Sequence, residues 1–304
     1  MSVQGGPRDH ESWLALAKDV EASGFDGLYV ADHPGVSSAP FVALAAAAAV
    51  TERIQLGTCV VNAGMWSPMA LAIEVATLDL LSGGRAVLGV GAGHTPSEWT
   101  AVGRAYPSAG ERVDHMIELT TTTMALLSGE TVSHSGEHFT LEAAMLTHPR
   151  PVRSPVPLAV GGNGRRVLRF GGEHADIVGI TGLGRTLADG HSHAVDWSPS
   201  AIRRTVDTVQ SSATAAGRSP QIEALVQHIE ISNDAERAAA QLVDAVPGAT
   251  VDDLLAAPFI WMGTADEIRA RLRSHQRDLG ITRYMVRSHA LADVRLVFDA
   301  TITG

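Results

Sequence analysis

The chain has one cysteine, Cys59, and one lysine, Lys18, in 304 residues. A single cysteine excludes a disulfide framework within one chain. Long apolar runs are also missing. None reaches the roughly 18–20 residues that a spanning helix needs, and the run over 43–50 is short and mostly weakly apolar alanine. The N-terminus has neither the basic nor the apolar region of a signal peptide. Mean hydropathy is +0.09. These absences predict a cytoplasmic protein with no membrane partner. Positive charge is scarce as well. A net charge of −10 repels a phosphate backbone on average, so nucleic acid is not an expected partner. There is no internal repeat and no low-complexity tract.

What is present is an apolar content of 45%, enough for a full core. Periodicity predicts helices over about 10–22, 41–50, 69–81, 111–127, 165–172, 200–215, 235–246, 265–279 and 290–301. Strands are expected over 3–4, 26–31, 54–61, 85–90, 157–160, 175–181, 222–232 and 283–287. Strict alternation of strand and helix means a parallel sheet with right-handed crossovers. About eight such units over 1–304 fit an α/β chain folded as one (β/α)8 TIM barrel with insertions better than a doubly wound sheet. The insertions fall at about 131–148, 182–198 and 248–259. The first begins as a period-two hairpin over 131–141; the other two read as irregular connections. Only four residues precede Gly5-Gly6-Pro7, so the first strand is either stunted or truncated.

The most informative stretch is 78–94, LDLLSGGRAVLGVGAGH. It reads as a helix, a glycine stop, a buried strand and a loop nearly without side chains. The pattern returns at 157–172, where a strand ending at Val160 runs into Gly161-Gly162-Asn163-Gly164 and then a helix. Such loops let a large ligand lie against the backbone. N–H groups at the helix start, with Arg165 and Arg166 beside them, suit an anion. The same glycines also permit tight packing. The spacing is not GxGxxG, which disfavours a dinucleotide-binding Rossmann site.

In a barrel, chemistry sits at the C-terminal ends of the strands. There the sequence places Asp32-His33, Cys59-Val60 with Asn62, Ala92-Gly93-His94, Gly161 to Gly164, and Thr181. The residues alone leave other readings open. Asp32 and His94 could cap turns, His33 could pack beneath a loop, and Thr58-Cys59-Val60 could be ordinary buried strand. Met65 and Trp66 line a substrate pocket or pack a lid. His191 and His193 suggest a metal, but no third ligand has a defined spacing, so none is expected.

Five segments in order carry a resemblance: SGFDGLYVADH (23–33), TERIQLGTCVV (51–61), LDLLSGGRAVLGVGAG (78–93), GERVDHMIE (110–118) and RPVRSPVPLAVGGNGRRVLRFGGEHADIVGITG (150–182). A looser match follows at PFIWMGTADEI (258–268). They are similar to the bacterial-luciferase-like family of flavin- and deazaflavin-dependent oxidoreductases. The GAGH and GGNG forms most resemble its coenzyme F420 branch. The chain's use of arginine for lysine, a habit of high-GC genomes, tilts the cofactor the same way.

The resemblance implies hydride transfer between reduced F420 and a small organic substrate, by C=C or C=N reduction or the reverse. It implies that Asp32 bonds the ring system and that His33 lies near the reacting carbon. It also implies a non-prolyl cis peptide at Cys59-Val60, forming a bulge behind the ring. Asn62, Ala92, Gly93, Val160, Gly161, Gly162, Asn163, Gly164, Arg165 and Thr181 complete the implied cofactor site. His94 stands where sugar-phosphate dehydrogenases of the family carry a glutamate acid, which makes His94 the second catalytic candidate and puts their substrate in doubt. A homodimer through the helices near 69–81 and 111–127 is implied too. Two alternatives stand: an FMN-dependent monooxygenase fed by a separate reductase, and a cofactor-binding barrel without turnover.

Overall fold

The structure, a computed structural model, describes residues 1–187, 193–246 and 248–298. These residues cluster into two compact units, with the division at Gly161/Gly162.

The first unit holds β1 (Ser2–Gln4), α1 (His10–Ala22), β2 (Gly27–Val30), α2 (Pro40–Ala48), β3 (Gln55–Thr58) and β4 (Val61–Asn62). It continues through α3 (Pro68–Ser82), β5 (Ala86–Gly91), α4 (Pro96–Ala101), α5 (Ala109–Leu127), β6 (Val132–Ser135), β7 (Thr140–Ala144) and β8 (Leu158–Gly161). Its parallel strands run in the order β1-β2-β3-β5-β8, with Val3 opposite Leu28, Leu28 opposite Leu56, Leu56 opposite Ala86 and Leu88 opposite Leu158. All six residues of β5 are buried, which is why that strand reads as a continuous apolar run. The short first strand is present, and all three of its residues are buried.

Local chemistry sets the helix ends. The Asp9 side chain accepts from the Ser12 N–H at the start of α1. Proline opens α3 and Gly83, at φ 70°, closes it. Ser108 and Glu111 form a capping box at α5. The expected hairpin is β6 paired antiparallel with β7, with Val132 opposite Ala144. Glu118 of α5 anchors it, accepting from His134 Nε2 at 2.9 Å and from the backbone N–H groups of His138 and Phe139.

The second unit holds α6 (Arg165–His174), β9 (Ile177–Ile180), β10 (Leu183–Thr186), β11 (His193–Val195), α7 (Pro199–Ala215), β12 (Gln221–Leu225) and β13 (His228–Ile231). Then come α8 (Ala235–Val243), α9 (Val251–Ala256), β14 (Ile260–Gly263), α10 (Ala265–Leu279), β15 (Ile281–Arg287) and α11 (Leu291–Phe298). Strands β9, β12 and β15 are parallel neighbours in that order. The parallel strands β1, β2, β3, β5 and β8 of one unit and β9, β12 and β15 of the other, alternating with helices, give the fold class of a (β/α)8 TIM barrel with insertions.

Several expectations need correction. The strand expected over 222–232 is two strands. Val226 N–H still bonds Met285 O of β15, but then the backbone changes partner: Gln227 N–H bonds Phe259 O, so β13 runs beside β14 instead of β15. The connection over 182–198 contains the β10–β11 hairpin, with Leu183 opposite Val195; His191 lies outside the described residues. The connection over 248–259 contains α9, started by a Thr250–Asp253 capping box. The strand expected over 54–61 stops at Thr58 and resumes as β4. The helix expected over 235–246 ends at Val243, and α11 is described to Phe298. No described helix is long and apolar enough to cross a membrane.

Candidate active site

Within the first unit the predicted residues converge. Asp32 lies two residues past β2 and is buried. Its Oδ2 accepts from Trp66 Nε1 at 2.8 Å and from the Asn62 backbone N–H at 3.2 Å. Among the described residues Oδ1 accepts no hydrogen bond. Burial pushes the Asp32 carboxyl above the usual carboxylate range, although Trp66 and Asn62 pull the other way. The side chain of His33 is 41% exposed, and its Nδ1 lies 2.6 Å from Oε1 of Glu98, which is only 3% exposed. The other Glu98 oxygen accepts from the Asn62 amide at 2.7 Å. Burial would raise the Glu98 carboxyl, but the His33 bond and charge, with Asn62 and Thr95, outweigh it and hold Glu98 below the ordinary value.

Asn62 is therefore the hub. Its backbone N–H serves Asp32, its amide N–H serves Glu98, and its amide oxygen accepts from Gly64 N–H at 3.1 Å. The His94 ring lies 6.1 Å from that of His33, edge to face at 84°. The loop presenting His94 is tied from behind. Tyr106 OH donates to His94 O at 2.9 Å, Arg112 Nε donates to Gly93 O at 2.7 Å, and the Arg112 guanidinium lies 4.3 Å from the Tyr106 ring centre.

The Cys59-Val60 peptide is cis, as the resemblance implies. Gln4 Nε2 donates to Cys59 O at 2.7 Å. The glycines here serve packing first. A Cβ at Gly91 or Gly161 would lie 2.5 Å or 2.9 Å from a Val60 methyl, and one at Gly93 would lie 2.1 Å from the Asn62 amide oxygen. Their space is taken by Val60 and Asn62. The side chain of Val160 is buried at 1% exposure, and Ala92 is half-buried.

The remaining candidates cluster in the second unit. Asn163 is a staple: Oδ1 accepts from the Thr181 and Gly182 N–H groups, and Nδ2 donates to Thr181 Oγ1 at 2.6 Å and to Leu183 O at 2.8 Å. Both Asn163 and Thr181 thus have structural duties. Gly162 sits at φ 151°, and a Cβ there would lie 3.0 Å from Val167. Gly164 is the N-cap of α6 and offers no side-chain cap to the first N–H groups, while Arg165 beside it is exposed. Exposed, uncapped N–H groups at a helix start are the donor set that a phosphate would need. The open oxygen of Asp32 is likewise a fit for a ring N–H.

Sequence reasoning missed Glu98 and gave Trp66 only a place in a pocket wall. Pro96 followed by an acidic residue is a helix-start signal that would have located α4. Nothing local shows that Glu98 turns inward. His193 Nδ1 lies 3.2 Å from Gly184 O, and the described residues hold no group of three metal-ligating side chains.

The sequence pattern of the luciferase-like monooxygenases matches residues 2–283. The chain belongs to that family. An F420-dependent glucose-6-phosphate dehydrogenase of Beutenbergia cavernae is 35% identical over 193 residues, which is 60% of this chain and 56% of that protein. The chain thus spans little more than half the length of this relative. Among solved structures, an F420-dependent secondary alcohol dehydrogenase in complex with an F420-acetone adduct superposes with a TM-score of 0.76 at 20% identity, covering 98% of each chain. A monooxygenase of Streptomyces bottropensis superposes with a TM-score of 0.75 at 21% identity, covering 97% of this chain and 94% of that one.

Proposed function

We propose that the protein is an F420-dependent oxidoreductase that moves a hydride between the reduced deazaflavin and a small, uncharged organic substrate. The observation that carries this is the chain Asp32–Asn62–Glu98–His33. It joins a buried carboxylate with one open oxygen to a histidine held by a second carboxylate. The resemblance to F420 enzymes supports the choice of cofactor. Bound, the deazaflavin supplies or accepts the hydride. The chain's own residues do the rest. Asp32 accepts a ring N–H. The 59–60 bulge and the 92–93 backbone would hold the ring, and the N–H groups at 162–165 would hold the phosphate. His33, with His94 beside it, exchanges the proton that accompanies the hydride. Met65 and Trp66 shape the substrate pocket. Glucose 6-phosphate is not carried over from the relatives, because His94 stands where the resemblance implies a glutamate acid in sugar-phosphate dehydrogenases.

Titration with F420 and with FMN, read by quenching of cofactor fluorescence, tests the proposal. The expected result is saturable F420 binding with FMN far weaker. Tight FMN binding without F420 binding would instead select the monooxygenase reading, which the Streptomyces bottropensis neighbour supports. Binding of either without turnover of any substrate would leave a cofactor-carrying barrel.

We also propose that residues 1–304 act as one cytoplasmic domain that pairs as a homodimer. Ile73, Leu80 and Leu81 of α3 are 41%, 45% and 62% exposed, an apolar face that pairing would cover. The α5 helix, expected to share the interface, shows no exposed large apolar side chain among its described residues. Light scattering should give twice the 31.9 kDa chain mass; a clean monomer mass would overturn the dimer.

A further inference from the structure

We propose that Glu98 is a positioning residue that fixes the tautomer of His33, so that His33 exchanges its proton through Nε2. This rests on the reading above that His33 handles the proton.

The argument starts from a carboxylate, which accepts hydrogen bonds and donates none. Glu98 Oε1 lies 2.6 Å from His33 Nδ1, so Nδ1 carries the proton of that bond. Glu98 cannot easily turn away, because Asn62 Nδ2 holds its other oxygen at 2.7 Å. Asn62 is itself fixed at three points, and the room for its amide exists only because residue 93 has no Cβ. The backbone of His33 is pinned too, its N–H donating to Ser37 Oγ at 2.7 Å. With Nδ1 committed, a proton given to or taken from a ligand passes through Nε2.

The balance is simple. When a substrate gains a hydride at one atom, Nε2 of the imidazolium gives a proton to the other, leaving neutral His33 with its Nδ1–H intact. In the reverse direction neutral Nε2 takes the proton. In both, the Glu98 charge favours the imidazolium, since an opposite charge at contact stabilises the charged form. Burial of Glu98 makes that charge count for more than it would at the surface. Among the described residues, titratable groups around this pair include Asp32 after β2, His94 after β5, and Tyr106, on which both Arg112 and Glu98 act.

Nitrogen NMR of 15N-histidine-labelled, ligand-free protein tests this, using wild type, Glu98→Gln and Glu98→Asp. Wild-type His33, when neutral, is expected as the Nδ1–H tautomer. In Glu98→Gln its titration midpoint should move to lower pH and the Nε2–H tautomer should gain population. Glu98→Asp keeps the charge and should stay closer to wild type. With F420 and a reducible substrate, Glu98→Gln should lower kcat by about 10²-fold, while F420 affinity stays within about twofold. Its pH profile should shift the same way as the NMR midpoint. A role in packing alone predicts the opposite order, because Gln fills the volume of Glu and Asp does not.

The proposal is overturned if neutral wild-type His33 is Nε2–H, a result that needs no variant to fold. It is equally overturned if the His33 midpoint and tautomer do not change in Glu98→Gln. If the NMR changes occur as expected but all three proteins turn over equally, Glu98 does hold the tautomer, and the proton-handling role of His33 is what fails.

Discussion

Replacing His33 with alanine should lower turnover by about 10²–10⁴-fold, the usual contribution of a positioned acid or base. F420 affinity should change little, because Asp32 and the 162–165 backbone are left in place. The size of the effect follows from geometry. The His33 ring is locked by a buried carboxylate, at 2.6 Å, while still 41% exposed to whatever binds. The His94 ring lies 6.1 Å from that of His33. Its alanine variant is the second to test. Steady-state rates with reduced F420 and an unsaturated substrate would decide it. Full activity in both single variants and in the double variant would mean that water or the substrate supplies the proton, and both assignments would be wrong.

Gly164→Asp should move stability and cofactor binding in opposite directions. Gly164 is the N-cap of α6, at φ −68° and ψ 136°, a conformation that aspartate adopts readily. A Cβ there meets nothing nearer than a Val167 methyl at 4.0 Å. The new carboxylate would cap the first N–H groups and face the positive helix end. It should stabilise the protein by about 0.5–1 kcal/mol. The same carboxylate would occupy the donors proposed for the phosphate and repel it, weakening F420 binding by about 10²-fold. Thermal melts and fluorescence titration on one preparation read both effects. Unchanged affinity in a stabilised protein would place the phosphate elsewhere. Gly162, the more obvious target in a glycine loop, is a poorer test, since its φ of 151° and the nearby Val167 would penalise any side chain whether or not a ligand binds.

The barrel was legible where one strand equals one apolar run. β5 sits between the glycine stop at Gly83 and the loop after Gly91, and all of it is buried, so its sequence carries its whole environment. The run over 222–232 carries no such mark. Its apolar residues are interleaved with Glu223, Gln227, His228 and Glu230 on both sides of the break, and only the change of backbone partner between Val226 and Gln227 divides it. Asp32 and His33 were found because their motif is local. Glu98 was not, because α4 has six residues, too few turns for a periodic face, and its inward direction is set by Asn62 and His33 far away in sequence. The glycine loops were half legible. Their lack of side chains was plain, but the space at Gly91, Gly93 and Gly161 admits protein groups that no local pattern announces.

The methyls of Val60 reach toward both Gly91 and Gly161, one at the end of each neighbouring strand. That contact ties three distant positions into one unit of sequence drift. An alanine at either glycine demands a smaller residue at 60 in the same step, and a larger residue at 60 has no glycine left to remove. Variation can reach the bulge at Cys59-Val60 only by concerted change at three positions, so single substitutions that tune the site must enter through the loops.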